Sequence, residues 1–114
     1  MSTRLLLVLA PLLAIGPALA GPKASPEAGH TVYDAQCLIC HGPQGAGDGR
    51  AAPGLNPRPT AMNTAAFWSD RTDESLMAGI RRGKPGTSMP PFPAIGRAEL
   101  EHLVAWLRTL EPSP

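Results

Sequence analysis

The sequence predicts an all-α fold on three observations. No segment alternates apolar and polar residues over the length of a useful strand. Three segments open with helix-start residues and continue with apolar positions three and four apart. The stretches between them are dense in Gly and Pro, which excludes long regular elements there.

Residues Met1–Ala20 read as a secretory leader. Arg4 gives a positive start, Leu5–Leu13 an apolar stretch broken by Pro11, and Ala18-Leu19-Ala20 a small-residue cleavage site before Gly21. The apolar stretch falls short of the about 20 residues of a spanning helix. The expected partition is therefore residues 1–20 as a cleaved signal peptide and 21–114 as one domain, exported to the periplasm without stable membrane insertion.

Ser25-Pro26-Glu27 starts the first helix, with a Ser cap, Pro at the first helical position and an acid in the first turn. It should run through Tyr33 towards Cys37. Gly29, Tyr33 and Cys37 share one face, and a glycine at that position implies close approach by another element. Gly42–Pro59 reads as a loop, and Thr60–Trp68 as a short helix. No strand precedes the glycines and no GK[ST] follows them, so they form no phosphate cradle. Thr72-Asp73-Glu74 begins the next helix, with Leu76, Met77 and Ile80 as its apolar stripe, Arg81 and Arg82 at its negative end and Gly83 as its stop. Lys84–Gly96 is extended and rich in Pro. Gly96 then caps the last helix, where Ile95 and Leu100 are placed to form a hydrophobic staple. Leu100, Leu103, Val104, Leu107 and Leu110 form its stripe, flanked by Trp106.

The domain is short of core. After the leader, 94 of the 114 residues remain, and 14 of them are Leu, Ile, Val or Phe. That share, about 15%, lies below the roughly 20% at which chains tend towards disorder. Gly and Pro supply 23 more. Small domains of this kind need disulfides, metals or partners, and two cysteines make no disulfide scaffold. Nine basic and nine acidic residues follow the leader, so no basic excess exists to hold nucleic acid.

Both cysteines lie in Cys37-Leu38-Ile39-Cys40-His41, a C-x-x-C-H. This spacing is a known c-type haem attachment signal. Two thiols form thioethers with the two vinyl groups on one porphyrin edge, and the adjacent His presents its imidazole to the iron. A thioredoxin-like dithiol expects a βαβ pattern that is missing. A zinc site has only His30 and His102 as further nitrogen ligands. A disulfide over so short a loop removes little chain entropy.

The chain after the leader resembles the class I c-type cytochromes, small monohaem proteins with His/Met-ligated iron. The resemblance rests on Gly29-x-x-x-Tyr33-x-x-x-Cys37-x-x-Cys40-His41-Gly42, the glycine-rich loop to Pro53-Gly54-Leu55, the helix to Ile80 and Gly83, Met89-Pro90-x-Phe92 and the final helix. It implies three to five helices wrapped around one haem c, held covalently by Cys37 and Cys40. It also implies first and last helices that cross, with Gly29 and Tyr33 against Leu103, Trp106 and Leu107. Pro53 would offer its carbonyl to the His41 ring. Trp106 stands where many relatives carry Tyr.

The sixth ligand decides what such a haem does. Met77 sits in a helical stripe and reads as core; Met62 lies in the less regular Thr60–Trp68 segment. Met89, in an extended loop bounded by prolines, reads from residues alone as either a ligand or a gap-filler; the resemblance makes it the ligand opposite His41. His102 falls far from the apolar stripe and reads as solvated, and His30 as structural or exposed. Leu38, Ile39, Leu55, Leu76, Ile80, Phe92 and Leu103 are candidate haem-pocket lining, and Arg50, Arg58 and the Trp68 N–H candidate propionate partners. A His/Met iron has no open position, which suits electron transfer rather than catalysis. The expectation is a monomeric electron carrier, not an enzyme, docking transiently with redox donor and acceptor proteins. Arg81, Arg82 and Lys84 offer a patch for an acidic partner. The alternative is a cytochrome subunit of a larger dehydrogenase or reductase.

Overall fold

The structure is a computed structural model that describes residues 23–114, together with 8, 10–14 and 16. The leader expected over residues 1–20, and the domain boundary after it, lie mostly outside the described residues. Five α-helices follow in order, α1 (Pro26–Gln36), α2 (Leu38–His41), α3 (Ala65–Trp68), α4 (Asp73–Arg82) and α5 (Arg97–Arg108). A 3-10 turn at Ala52–Gly54 lies between α2 and α3, and the described residues contain no strand. None of these helices is long and apolar enough to cross a membrane.

The expected caps form. The Ser25 hydroxyl accepts the Ala28 N–H at 3.1 Å, ahead of Pro26 at the first helical position. Thr72 and Ser75 form a reciprocal capping box, each side chain accepting the other's backbone N–H at 3.1 and 3.0 Å. At α5, Gly96 caps without a side chain, while Ile95 and Leu100 join one buried cluster. The helix expected over Thr60–Trp68 is confined to Ala65–Trp68. Upstream of it, the Met62 N–H is committed to the Gly45 carbonyl at 2.6 Å, and the Thr64 side chain caps the shorter helix by accepting the Phe67 N–H.

α1 packs across α5, and α4 packs on α5 beside it. The α1–α5 crossing explains Gly29: a Cβ there would collide with the backbone carbonyl of His102 and lie 2.9 Å from the Leu103 Cα. Tyr33, Met62, Trp68, Leu103 and Leu107 form one buried cluster, and Met77, Ile95, Leu100 and Val104 a second. Val32, Leu76 and Ile80 touch both. Met77 is thus core, as its helical position predicts, and Met62 joins it.

His102 corrects an expectation. It is half-buried rather than solvated, and its Nδ1 accepts the Ser25 N–H at 2.8 Å. An N-cap residue's own N–H has no partner within its helix, and α5 supplies one. On the outer surface, Arg97 bridges Glu74 and Glu101 at 2.7 Å each, and Arg108 binds Asp73 at 2.8 Å. Such exposed pairs add little stability, but they join the start of α4 to α5.

Candidate haem site

α2 is a single helical turn, and its chemistry sits in consecutive positions. Cys37 is its N-cap, and Cys40 and His41 are its last two residues. The carbonyls of a helix end need outside partners. Here the glycine-rich loop supplies them: Ala51 N–H donates to the Ile39 carbonyl at 2.9 Å, Gly49 N–H to Cys40 at 3.0 Å and Gly47 N–H to His41 at 2.9 Å. The loop therefore fixes α2 by backbone alone. From the other side, the buried Tyr33 hydroxyl donates to the Gly42 carbonyl, tying α1 to the residue after His41. Burial, with Cys37 next to it, pushes the Tyr33 hydroxyl far above the usual range, so it stays a donor.

Cys37 and Cys40 are free thiols, both half-buried. Burial, then the neighbouring Cys40, pushes the Cys37 thiol up to about 11. The His41 ring lies with Nδ1 buried and without a hydrogen-bond partner. Burial holds this imidazole below the usual His range, partly opposed by the backbone of Thr60. A neutral imidazole is the form that ligates a metal, and a buried ring nitrogen without a partner marks a site built for more than packing. Two reduced thiols and a neutral imidazole in one turn form the donor set of a covalently attached haem, so these residues fit the group.

The other expected site residues divide. Cys37 and Leu38 at α2, and Leu76 and Ile80 from α4, are partly buried and pack on the Tyr33–Leu103 cluster. Phe92 is half-buried against the second cluster, and its N–H donates to the Ile80 carbonyl at 3.1 Å, tying the Met89 segment to α4. That segment is further closed by Lys84 N–H to the Met89 carbonyl at 3.1 Å and Met89 N–H to the Thr87 hydroxyl at 3.1 Å. Gly83 permits the turn: its φ is +67°, and a Cβ there would lie 2.6 Å from the Pro90 carbonyl carbon and the Pro91 nitrogen. Met89 itself is half-buried, and Leu55 is half-buried after the 3-10 turn. Ile39 is 53% exposed, and Leu103 is fully buried in the core.

The remaining expected residues lie around the 3-10 turn and in α3. Pro53 lies exposed in the 3-10 turn, and the backbone that bears on the His41 ring belongs to Thr60. The chain reaches it because Met62 pairs with Gly45, which draws the 59–62 stretch over the loop. Trp68 has no free N–H for a propionate, since it donates to the Met62 carbonyl at 2.7 Å. Arg50 and Arg58 are exposed and, among the described residues, take part in no ion pair. Neither Thr60 nor the Met62–Gly45 pairing carries a local sequence signal.

Comparison with known proteins agrees with this geometry. The family described as "Cytochrome C oxidase, cbb3-type, subunit III" matches residues 24–107. Cytochrome c-554(547) of Halothiobacillus neapolitanus is 29% identical over 86 residues, covering 74% of this chain and 94% of that protein. A chain of the Kuenenia stuttgartiensis reducing HAO-like protein complex Kustc0457/Kustc0458 superposes with a TM-score of 0.68 at 26% identity. That match covers 82% of this chain and 46% of the other, so this chain spans less than half of that neighbour. The KustC0563 c-type cytochrome shares the fold, with a TM-score of 0.61 at 24% identity over 74% of this chain and 98% of its own. The all-α architecture, the C-x-x-C-H turn and a family match over most of its length agree, and the chain belongs to the c-type cytochromes.

Proposed function

We propose that this protein is a periplasmic one-electron carrier, with haem c held by thioethers from Cys37 and Cys40 and its iron ligated by His41 and Met89. The observation that carries the reading is the α2 turn. It places two free thiols beside a neutral imidazole whose buried Nδ1 has no partner. When bound, haem c supplies a Fe(II)/Fe(III) couple that accepts or gives one electron. The chain's own contribution is to hold both ligands still.

The residues do this by different means. Backbone hydrogen bonds from the glycine-rich loop fix the His41 main chain, and the Lys84–Met89 and Ile80–Phe92 hydrogen bonds close the Met89 segment. Partly buried Leu38, Leu55, Ile80 and Phe92 supply apolar surroundings, which favour the less charged ferrous state and so raise the potential. Held by both His41 and Met89, the iron would keep no open position for a substrate. Arg81, Arg82 and Lys84 form an exposed cationic group around the start of the Met89 segment. It suits transient docking to an acidic redox partner. Their neutralisation should flatten the salt dependence of the association rate; an unchanged rate would remove that role.

A second reading is a cytochrome subunit of a larger oxidoreductase. It draws on the likeness to a chain of the Kuenenia complex, of which this chain spans less than half. Gel filtration of native extract separates the two readings: a discrete large species carrying this cytochrome supports the subunit. For the leading reading, the test is a pyridine haemochrome assay on exported protein. One haem c per chain is expected, and a colourless folded product with both thiols free would defeat it.

A further inference from the structure

A line of aromatic rings runs from the surface to the attachment turn. The exposed His30 ring stacks on Trp106, with centroids 4.8 Å apart and planes at 8°. Trp106, half-buried, contacts Tyr33 at 4.1 Å between centroids. Tyr33 is fully buried, donates its hydroxyl to the carbonyl of Gly42 directly after His41, and belongs to the cluster on which Cys37 packs. Each step is a van der Waals contact between rings or a hydrogen bond, with no solvent gap. Electronic coupling through protein falls steeply across gaps, so a chain without gaps is where an electron crosses best.

Packing alone explains Tyr33 and the buried edge of Trp106, which fill the α1–α5 crossing. It does not explain His30. This ring is half-exposed, and yet lies nearly parallel on the indole while Asp34 approaches its Nε2 at 3.4 Å. It extends the aromatic path to solvent.

The charges around this end are distinctive. Glu27 and Asp34 flank His30 on the same face of α1, three residues before and four after. α1 carries no Lys or Arg, and both cations of α5, Arg97 and Arg108, are engaged with carboxylates. The rim is therefore acidic, whereas Arg81, Arg82 and Lys84 beside the Met89 segment are exposed and unpaired among the described residues. Charge complementarity selects partners of opposite sign for the two places.

We infer that His30, Trp106 and Tyr33 form a second electron port, through which a one-electron redox protein with a basic surface exchanges an electron with the haem. The inference rests on the electron-carrier reading above. In the reductive direction the docked partner loses one electron and the ferric iron gains it. No bond is made or broken and no proton moves, because the rings mediate the transfer without being oxidised. Opposite charge at the two places lets the protein distinguish its donor from its acceptor.

The test uses the haem-loaded protein with a ruthenium photosensitiser attached to His30, its position verified by loss of labelling in His30→Gln. Flash photolysis then reads the rate of electron transfer from the label to the haem. Trp106→Leu should slow it several-fold and Trp106→Phe should restore most of the rate; Tyr33→Phe, which keeps the ring but loses the hydrogen bond to Gly42, should also slow it. In the Trp106 variants the reduction potential, measured by voltammetry, and the rate of reduction by dissolved dithionite should stay at wild-type values. Wild-type transfer rates from His30 in both Trp106→Leu and Tyr33→Phe would overturn the port while leaving the carrier intact. A haem that neither the label nor dithionite reduces would overturn the carrier reading with it. Replacing both Glu27 with Gln and Asp34 with Asn should slow low-salt reduction by hexaammineruthenium(II), a cationic donor, and should not slow reduction by dithionite, an anion; equal slowing of both, or slowing of neither, would contradict the acidic docking rim.

Discussion

The α1–α5 crossing and the Met89 segment are both parts of the cytochrome fold, but they are held by different forces. At the crossing, side chains do the work: Tyr33, Leu100 and Leu103 are fully buried, and helix backbones approach so closely that only Gly29 fits. In the segment from Gly83 to Phe92 the main chain does the work, through the Lys84–Met89 and Ile80–Phe92 hydrogen bonds, while Met89 and Phe92 stay half-exposed. The crossing is complete as protein. The segment is held by backbone hydrogen bonds, with Met89 and Phe92 half-buried. If Met89 ligates the iron as proposed, stability and redox function are divided between them, and substitutions in the two regions should have separable effects.

The strongest break is Gly29→Leu. Its side chain meets the His102 main chain, which cannot move without displacing α5. A loss above ~4 kcal/mol is expected, enough to abolish cooperative unfolding in denaturant titration. Leu103→Ala, at a fully buried position, should cost ~2–5 kcal/mol and leave the visible spectrum unchanged. Phe92→Ala, at a half-buried position, should cost less than Leu103→Ala in the same titration but move the reduction potential; an equal stability loss with no change of potential would erase the distinction between regions.

Gly83→Ala sharpens the comparison from the other side. Its positive φ and the nearby Pro90 backbone make the expected cost ~1–3 kcal/mol, concentrated in the segment. Hydrogen exchange should accelerate at the Lys84 and Phe92 amides while the α1 amides stay protected. The smallest effect belongs to Thr72→Ala, which removes the α4 cap for about 1 kcal/mol and leaves both spectrum and potential alone.

The local features were legible in the sequence. Ser25-Pro26 and Thr72 mark the starts of their helices, and Gly29 a close approach by another element, because each depends on residue type and short-range spacing; that α5 is the element that approaches comes only from the family resemblance. Features that depend on pairing between distant segments were not. The role of His102 comes from a backbone N–H 77 positions away. Trp68 was an apparent propionate donor until its indole met the Met62 carbonyl. The backbone that influences the His41 ring is that of Thr60, in the stretch that the Gly45–Met62 pairing holds against the loop. No local pattern marks such backbone pairings.

The proposed axial pair is tested most directly by near-infrared and visible spectroscopy of haem-loaded protein before and after Met89→Ala. The account predicts a ferric sulfur-to-iron charge-transfer band and no carbon monoxide binding in the unaltered ferrous protein, then loss of the band and rapid carbon monoxide binding in the variant. A variant that retained the band and still excluded carbon monoxide would contradict ligation by Met89.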